Sequence, residues 1–243
     1  MKDILQDIVS HTQNLGFLTT VKVTGTEEKT TINSMADDRS VIMEAETANP
    51  YPDMIGTFGM PQLNKLKIHL DCPEYKENAN ITVTSADRNG DTIPVGIHFE
   101  NAAGDFKNDY RFMNQEIINE KLKTVKFKGV NWHIEFEPTV AAIQRLKMQA
   151  SANAEEVTFN AKTENGQLKF FFGDHSTHAG NFVFQPDVTG TLKRAWAWPI
   201  KTVISILDLT GDKTFKISDD GAAMITVDSG LAVYNYILPA QSK

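Results

Sequence analysis

The sequence predicts an α+β protein in which one small unit, two helices packed on antiparallel sheet, occurs twice in tandem. Three observations predict it. Apolar residues recur at helical spacing in four short segments, and between them they alternate with polar residues as half-buried strands do. Asn89-Gly90 and Asn165-Gly166 separate alternating runs, and Asn-Gly tolerates the positive φ of a tight hairpin. The second half then repeats the order of the first: helix, strands, proline, helix, strands, with the prolines at Pro61 and Pro199.

Each element follows from its local pattern. Asp3 to Leu15 places Ile4, Leu5, Ile8 and Leu15 on one helical face, and Gly16 stops the helix. Phe17 to Thr24 and Arg39 to Thr47 read as strands, with a shorter one around Ile32 between them. Pro50 and Pro52 mark a loop. A second helix is expected from Gly59 to Leu70, where Leu63, Leu66 and Leu70 repeat at three and four and Pro61 suits a first turn. Strands follow at Ile81 to Ala86, Thr92 to Glu100 and Lys107 to Met113. From Asn114 to Gly129 the pattern weakens, and the segment reads as a connector, with a short helix over Glu116 to Lys123 fitting nearly as well.

The plan restarts with a strand at Val130 to Glu137, broken by Pro138. Thr139 to Ala150 is a helix with Val140, Ile143, Leu146 and Ala150 on one face. Val157 to Thr163, Gln167 to Gly173 and Asn181 to Pro186 are strands, and Trp198-Pro199 opens a helix through Leu209. Thr214 to Ser218, Ala222 to Asp228 and Leu231 to Leu238 complete the chain.

Composition sets the outer limits. With 243 residues, 41% of them hydrophobic, the chain holds enough apolar material for two domains of roughly 100 to 150 residues. These are expected at 1–114 and 130–243, joined by a connector at 115–129. Apolar runs such as Val203 to Leu207 fall far short of the roughly 20 residues of a membrane span, and Met1-Lys2-Asp3 opens a polar helix in place of a signal peptide. A soluble, cytoplasmic protein without membrane partners is expected. The single cysteine, Cys72, excludes an internal disulfide and suits a reducing compartment as a small buried or half-buried hydrophobe. A net charge of −7 argues against a simple DNA-coating protein, but leaves room for a local basic surface on an acidic body.

This layout, closed by the tail Tyr234-Asn235-Tyr236-Ile237-Leu238-Pro239-Ala240, resembles the DNA sliding clamps, the polymerase processivity factors. The tail is similar to the aromatic-rich final strand and Leu-Ala-Pro ending of proliferating cell nuclear antigen, although the order here is Leu-Pro-Ala. The size resembles the two-domain clamps of eukaryotes, archaea and T-even-type bacteriophages, and the departures in tail and connector point to a viral member. The resemblance implies a duplicated DNA-clamp fold, a homotrimeric ring lined by helices, and no catalysis and no cofactor. It implies duplex DNA held without regard to sequence, a DNA polymerase as client, and a clamp-loader ATPase that opens the ring.

Site residues follow from the resemblance and from helix geometry together. With the apolar face of each helix buried, Lys65, Arg145, Gln149 and Lys201 project from the opposite side toward phosphates. Taken singly, each is better read as an ordinary solvated helix residue; the repetition of the arrangement on three of the four helices is what favours a phosphate-contacting role. The first helix departs from this, since Asp3 and Asp7 would repel phosphate, with Lys2 as a compensating charge. By position, Leu238, Pro239 and Ala240 match the tail wall of the clamps' peptide pocket, and Ile117, Ile118 and Leu122 are the connector's apolar contacts. Packing of those three on their own domain is the competing account. Partner recognition there would rest on a few buried side chains plus backbone hydrogen bonds.

Two other functional classes compete. A β-rich structural or assembly protein of a virus particle would share the duplicated fold without a DNA role. A metal-dependent hydrolase would use Asp174, His175 and His178, which a polar turn explains better. No Gly-rich phosphate loop, Gly-x-Ser-x-Gly or Cys-His pairing is present. Asp37-Asp38 and Asp219-Asp220 read as turn formers, and Trp196 and Trp198, beside Lys193 and Arg194, as core packing ahead of a docking patch.

Overall fold

The structure, a computed structural model, describes residues 1–88, 90–123, 127, 129–174 and 178–241. It divides into two units, Met1–Lys126 with Ser229–Tyr234, and Phe127–Asp228 with Asn235–Lys243.

In the first unit, α1 (Lys2–His11) leads into a meander of β1 (Val21–Gly25), β2 (Thr30–Met35) and β3 (Ile42–Thr47). The fourth strand, β4 (Gly56–Met60), returns to pair antiparallel with β1, so the sheet order is β4-β1-β2-β3. After Pro61 comes α2 (Leu63–Asp71), then an antiparallel three-stranded sheet of β5 (Asn80–Arg88), β6 (Asp91–Glu100) and β7 (Lys107–Arg111). A short helix, α3 (Gln115–Lys121), follows.

The second unit adds β8 (Ile134–Phe136) and then repeats the plan with α4 (Val140–Ala152), β9 (Thr158–Glu164), β10 (Gln167–Phe172), β11 (Gly180–Gln185) and β12 (Trp196–Pro199). Its sheet order, β11-β10-β9-β12, is the same path as β3-β2-β1-β4. Next come α5 (Ile200–Leu207), β13 (Asp212–Ile217), β14 (Ala222–Asp228) and β15 (Ala232–Pro239), with β8 on the outer side of β13. Residues Ala232–Tyr234 of β15 belong to the first unit, where they lie beside β3.

Alternation along the strands sets the cores. Val21, Val23 and Ile32 point inward in the first unit; by strand register Phe159, Ala161 and Phe170 take the same places in the second, all essentially unexposed. No helix among the described residues is long and apolar enough to cross a membrane.

Several boundaries differ from the sequence expectation. α1 stops at His11, because the Thr12 hydroxyl donates to the Ile8 carbonyl and a tighter turn over Gln13–Leu15 follows, closed by Gly16 at φ 84°. α2 starts at Leu63, since Gln62 is left-handed at φ 50° and Gly59-Met60 belong to β4. Pro61 and Pro199 therefore precede their helices without entering them, each closing a strand that alternation did not reveal: β4 and β12 are short and bury consecutive residues, so neither shows a period of two. In α4 the buried face is Ala142, Ile143 and Leu146, while Val140 is 75% exposed. Thr139 caps that helix, its hydroxyl accepting from the Ala142 N–H at 3.1 Å. The connector holds α3 because the Asn114 side chain caps it in the same way, accepting from the Ile117 N–H at 2.9 Å. The Asn89 part of the first hairpin signal lies outside the described residues.

Candidate nucleic-acid face and peptide pocket

Four helices come in two pairs, α1 with α2 and α4 with α5, and each pair buries one apolar face against its own unit. What remains outside decides their electrostatics. Lys65 on α2, Arg145 on α4 and Lys201 on α5 are all exposed. Their neighbours Lys67 and Lys147 are neutralised by Asp71 and Asp208, whereas Lys65, Arg145 and Lys201 have no carboxylate at ion-pair distance among the described residues. The Arg145 guanidinium lies 5.3 Å from the Phe182 ring, which steadies the side chain without cancelling its charge. Gln149 is engaged locally: its Oε1 accepts from the Asn153 amide at 3.2 Å and lies close over Gly180.

Asp7, read from sequence as an acid on the polar face of α1, is directed inward. Its carboxylate accepts from the Tyr234 hydroxyl at 2.8 Å and the Ser229 hydroxyl at 2.9 Å, and lies 3.2 Å from His11 Nδ1. The His11 ring stacks on Tyr234 at 4.3 Å. Burial pushes the Asp7 carboxyl up, but the hydrogen bonds from His11, Tyr234 and Ser229 and the His11 charge outweigh it and hold the carboxyl below its usual range. Asp7 thus fastens the start of β15 to α1. Lys2 is also committed, its ammonium donating to the carbonyls of Tyr75 at 2.8 Å and Lys76 at 3.3 Å. Neither residue could be placed by helical periodicity, because their partners are remote in sequence.

At the end of α3 a cavity of about 60 Å³ opens on the first unit, with Met35, Ile42, Met43 and Leu122 as its apolar wall and Lys22, Glu44 and Lys123 among its polar lining. Of the connector residues named from sequence, only Leu122 lines it. Ile118 is buried against Gly59, and Ile117 is 52% exposed. The methionine and isoleucine wall was not foreseen; these residues sit at strand ends, where alternation gives no sign of a cavity.

No protein-family model and no curated protein matches this chain. Among solved structures, PCNA from Thermococcus kodakaraensis superposes with a TM-score of 0.69 over 98% of this chain and 97% of that one, at 9% sequence identity. PCNA from A. fulgidus, in a structure with the C-terminal region of FEN-1 bound, gives 0.70 over 100% and 95%, also at 9% identity.

The fold is that of PCNA. Within the PCNA fold, the tail residues fall in the second unit: Leu238 is buried, Pro239 exposed, and the Ala240 N–H donates to the Gly221 carbonyl at 2.8 Å. Trp198 is fully buried in β12, and Trp196 is half-buried, its indole N–H donating to the Asp219 carbonyl at 2.8 Å with Arg194 over its ring. His175 lies outside the described residues; among those described, no group of three or more metal-ligating side chains is close enough to hold an ion.

Proposed function

We propose that this chain is a sliding clamp: three copies close into a ring around duplex DNA, a clamp-loader ATPase opens that ring, and the ring tethers the replicative DNA polymerase. The observation that carries the reading is the PCNA fold along the whole chain, with unpaired cations on the outer faces of three of its four paired helices. Such cations contact any phosphate in passing and read no bases. The clamp catalyses nothing; a tethered polymerase that lets go rebinds at high effective concentration.

Duplication supports ring closure. In the first unit the outer side of β3 is covered by the start of β15. The counterpart of β3 is β11 and the counterpart of β15 is β7, and both are edge strands. Pairing β11 of one copy with β7 of the next repeats the same joint between chains, a heterologous contact that closes into a ring. Exposed apolar side chains flank both edges: Ile68, 66% exposed, on α2 beside β7, and Met148, 76% exposed, on α4 beside β11. Such residues are the ones a subunit interface covers. The cavity at Leu122 suits one aliphatic anchor of a partner peptide.

Light scattering over a dilution series tests the assembly, with three times 27.1 kDa expected. Polymerase extension on a circular primed template with the loader then tests the role. The triple variant K65E/R145E/K201E is expected to keep the trimer mass and shorten the products. A strict monomer at high concentration overturns the ring.

A further inference from the structure

A second pocket, of about 200 Å³, lies wholly within the first unit and shares with the foregoing only Arg111, the last residue of the edge strand β7. It opens between β4 and β6, which belong to different sheets. Ile93, Val95, Phe112 and Met113 form an apolar wall over the buried Phe58, and Arg111 stands in its lining. Two features give it a chemistry.

The first is an unpaired stretch of backbone. Gly59 exchanges both its backbone hydrogen bonds with Met113, at 2.9 and 2.8 Å, on the side of β4 away from β1. Alternation along an antiparallel strand turns the N–H and C=O of Thr57 the same way. There the chain after Met113 leaves the ladder to begin α3, so Thr57 has no backbone partner on that side among the described residues. The second is charge. Arg111 has no carboxylate at ion-pair distance among the described residues; Asp109, which feels its charge, is hydrogen-bonded to His98 at 2.9 Å.

We infer that this pocket binds a short extended peptide segment of a partner protein, carrying an acidic side chain next to an aliphatic one. The segment adds to the edge of β4 at Thr57, places its aliphatic group on the Ile93, Val95 and Phe112 wall, and sets its carboxylate on the Arg111 guanidinium. A bidentate carboxylate contact suits arginine's planar fork, and backbone pairing holds the segment extended. The inference does not depend on ring assembly, since every lining residue belongs to one unit of one chain.

The test is a backbone-amide NMR titration of the full chain with the capped pentapeptide Ser-Val-Glu-Val-Ser and its Ser-Val-Gln-Val-Ser counterpart. Shifts at Thr57, Phe112 and Met113 are expected with the Glu peptide, with at least tenfold weaker binding for the Gln peptide and for R111Q. R111K, which keeps the charge without the fork, is expected to fall between. Equal binding of the two peptides, indifference to R111Q, or shifts confined to other surfaces would overturn the proposal.

Discussion

The two units follow one path with different materials. In the second, the inward positions of β9, β10 and β11 are phenylalanines apart from Ala161 and Leu168: Phe170 packs on Phe159 and on Phe184, each at 4.3 Å, and Phe136, Phe182 and Phe215 extend the cluster. In the first, the matching strands β1, β2 and β3 bury smaller groups, including hydroxyls. Ser34 donates to the Thr20 carbonyl at 2.6 Å, and the Thr30 hydroxyl accepts from the Tyr51 N–H at 3.0 Å. One sheet is held by ring packing, the other by aliphatic packing with its buried polar groups paired. What the halves share is the alternation and the strand order, which explains how a chain 9% identical to PCNA keeps the PCNA fold.

The largest test of that contrast is Phe170→Ala. Removing a fully buried ring at the centre of the cluster is expected to cost about 3–5 kcal/mol. Hydrogen exchange read separately on β9–β11 and on β1–β3 should show the loss confined to the second unit. Equal loss in both would mean that the units unfold as one, and the difference in core materials would have no separate consequence.

Next in size is Asp7→Asn, aimed at a polar joint of the first unit. Weakening its charge-assisted hydrogen bonds is expected to cost about 1.5–3 kcal/mol at neutral pH. Because the Asp7 carboxyl is held below its usual range, its contribution is fully present above the unfolded-state value and is lost as pH falls through the depressed folded one. Denaturation midpoints of wild type and D7N should therefore differ at neutral pH and converge in acid. A gap that stays constant to low pH would assign the effect to shape instead of charge.

The limits of the sequence reading follow the same division between local and remote physics. Helices α4 and α5, the hairpins and the terminal strands announce themselves through period, caps and Asn-Gly turns, all of which act within a few residues. β4 and β12 do not, because each is specified by its pairing with β1 or β9. The exposed cations Lys65, Arg145 and Lys201 were legible from the helical face alone. The inward turn of Asp7 was not, since Ser229 and Tyr234 lie at the other end of the chain. The cavity at the end of α3 was half legible: Leu122 lines it, but Ile118 is taken up by packing that only the return of β4 creates.

That packing supplies the smallest and sharpest comparison. Gly59-Met60-Pro61 and Ala197-Trp198-Pro199 occupy the same place in the two units, and each leading residue bridges to a late segment, Gly59 to Met113 and Ala197 to Gln241. Among the described residues, only in the first unit does a helix then lie across the bridge. A Cβ on Gly59 would sit 2.7 Å from Ile118 Cδ1 and 3.0 Å from Ile118 Cβ, so the glycine is there for close approach of α3. Gly59→Ala is therefore expected to cost about 1–2 kcal/mol by overpacking, and to raise amide exchange in Gln115–Lys121 first. Ile118→Ala in the Gly59→Ala background should cost less than it does alone, a coupling of about 1 kcal/mol between two residues in contact. The mirror change, Ala197→Gly, removes one buried methyl and adds backbone freedom, for about 0.5–1 kcal/mol, with no helix to disturb. If the two single changes cost the same and Ile118→Ala adds fully to Gly59→Ala, then α3 is not seated on β4. The glycine would then be a difference of sequence between the halves without a structural cause.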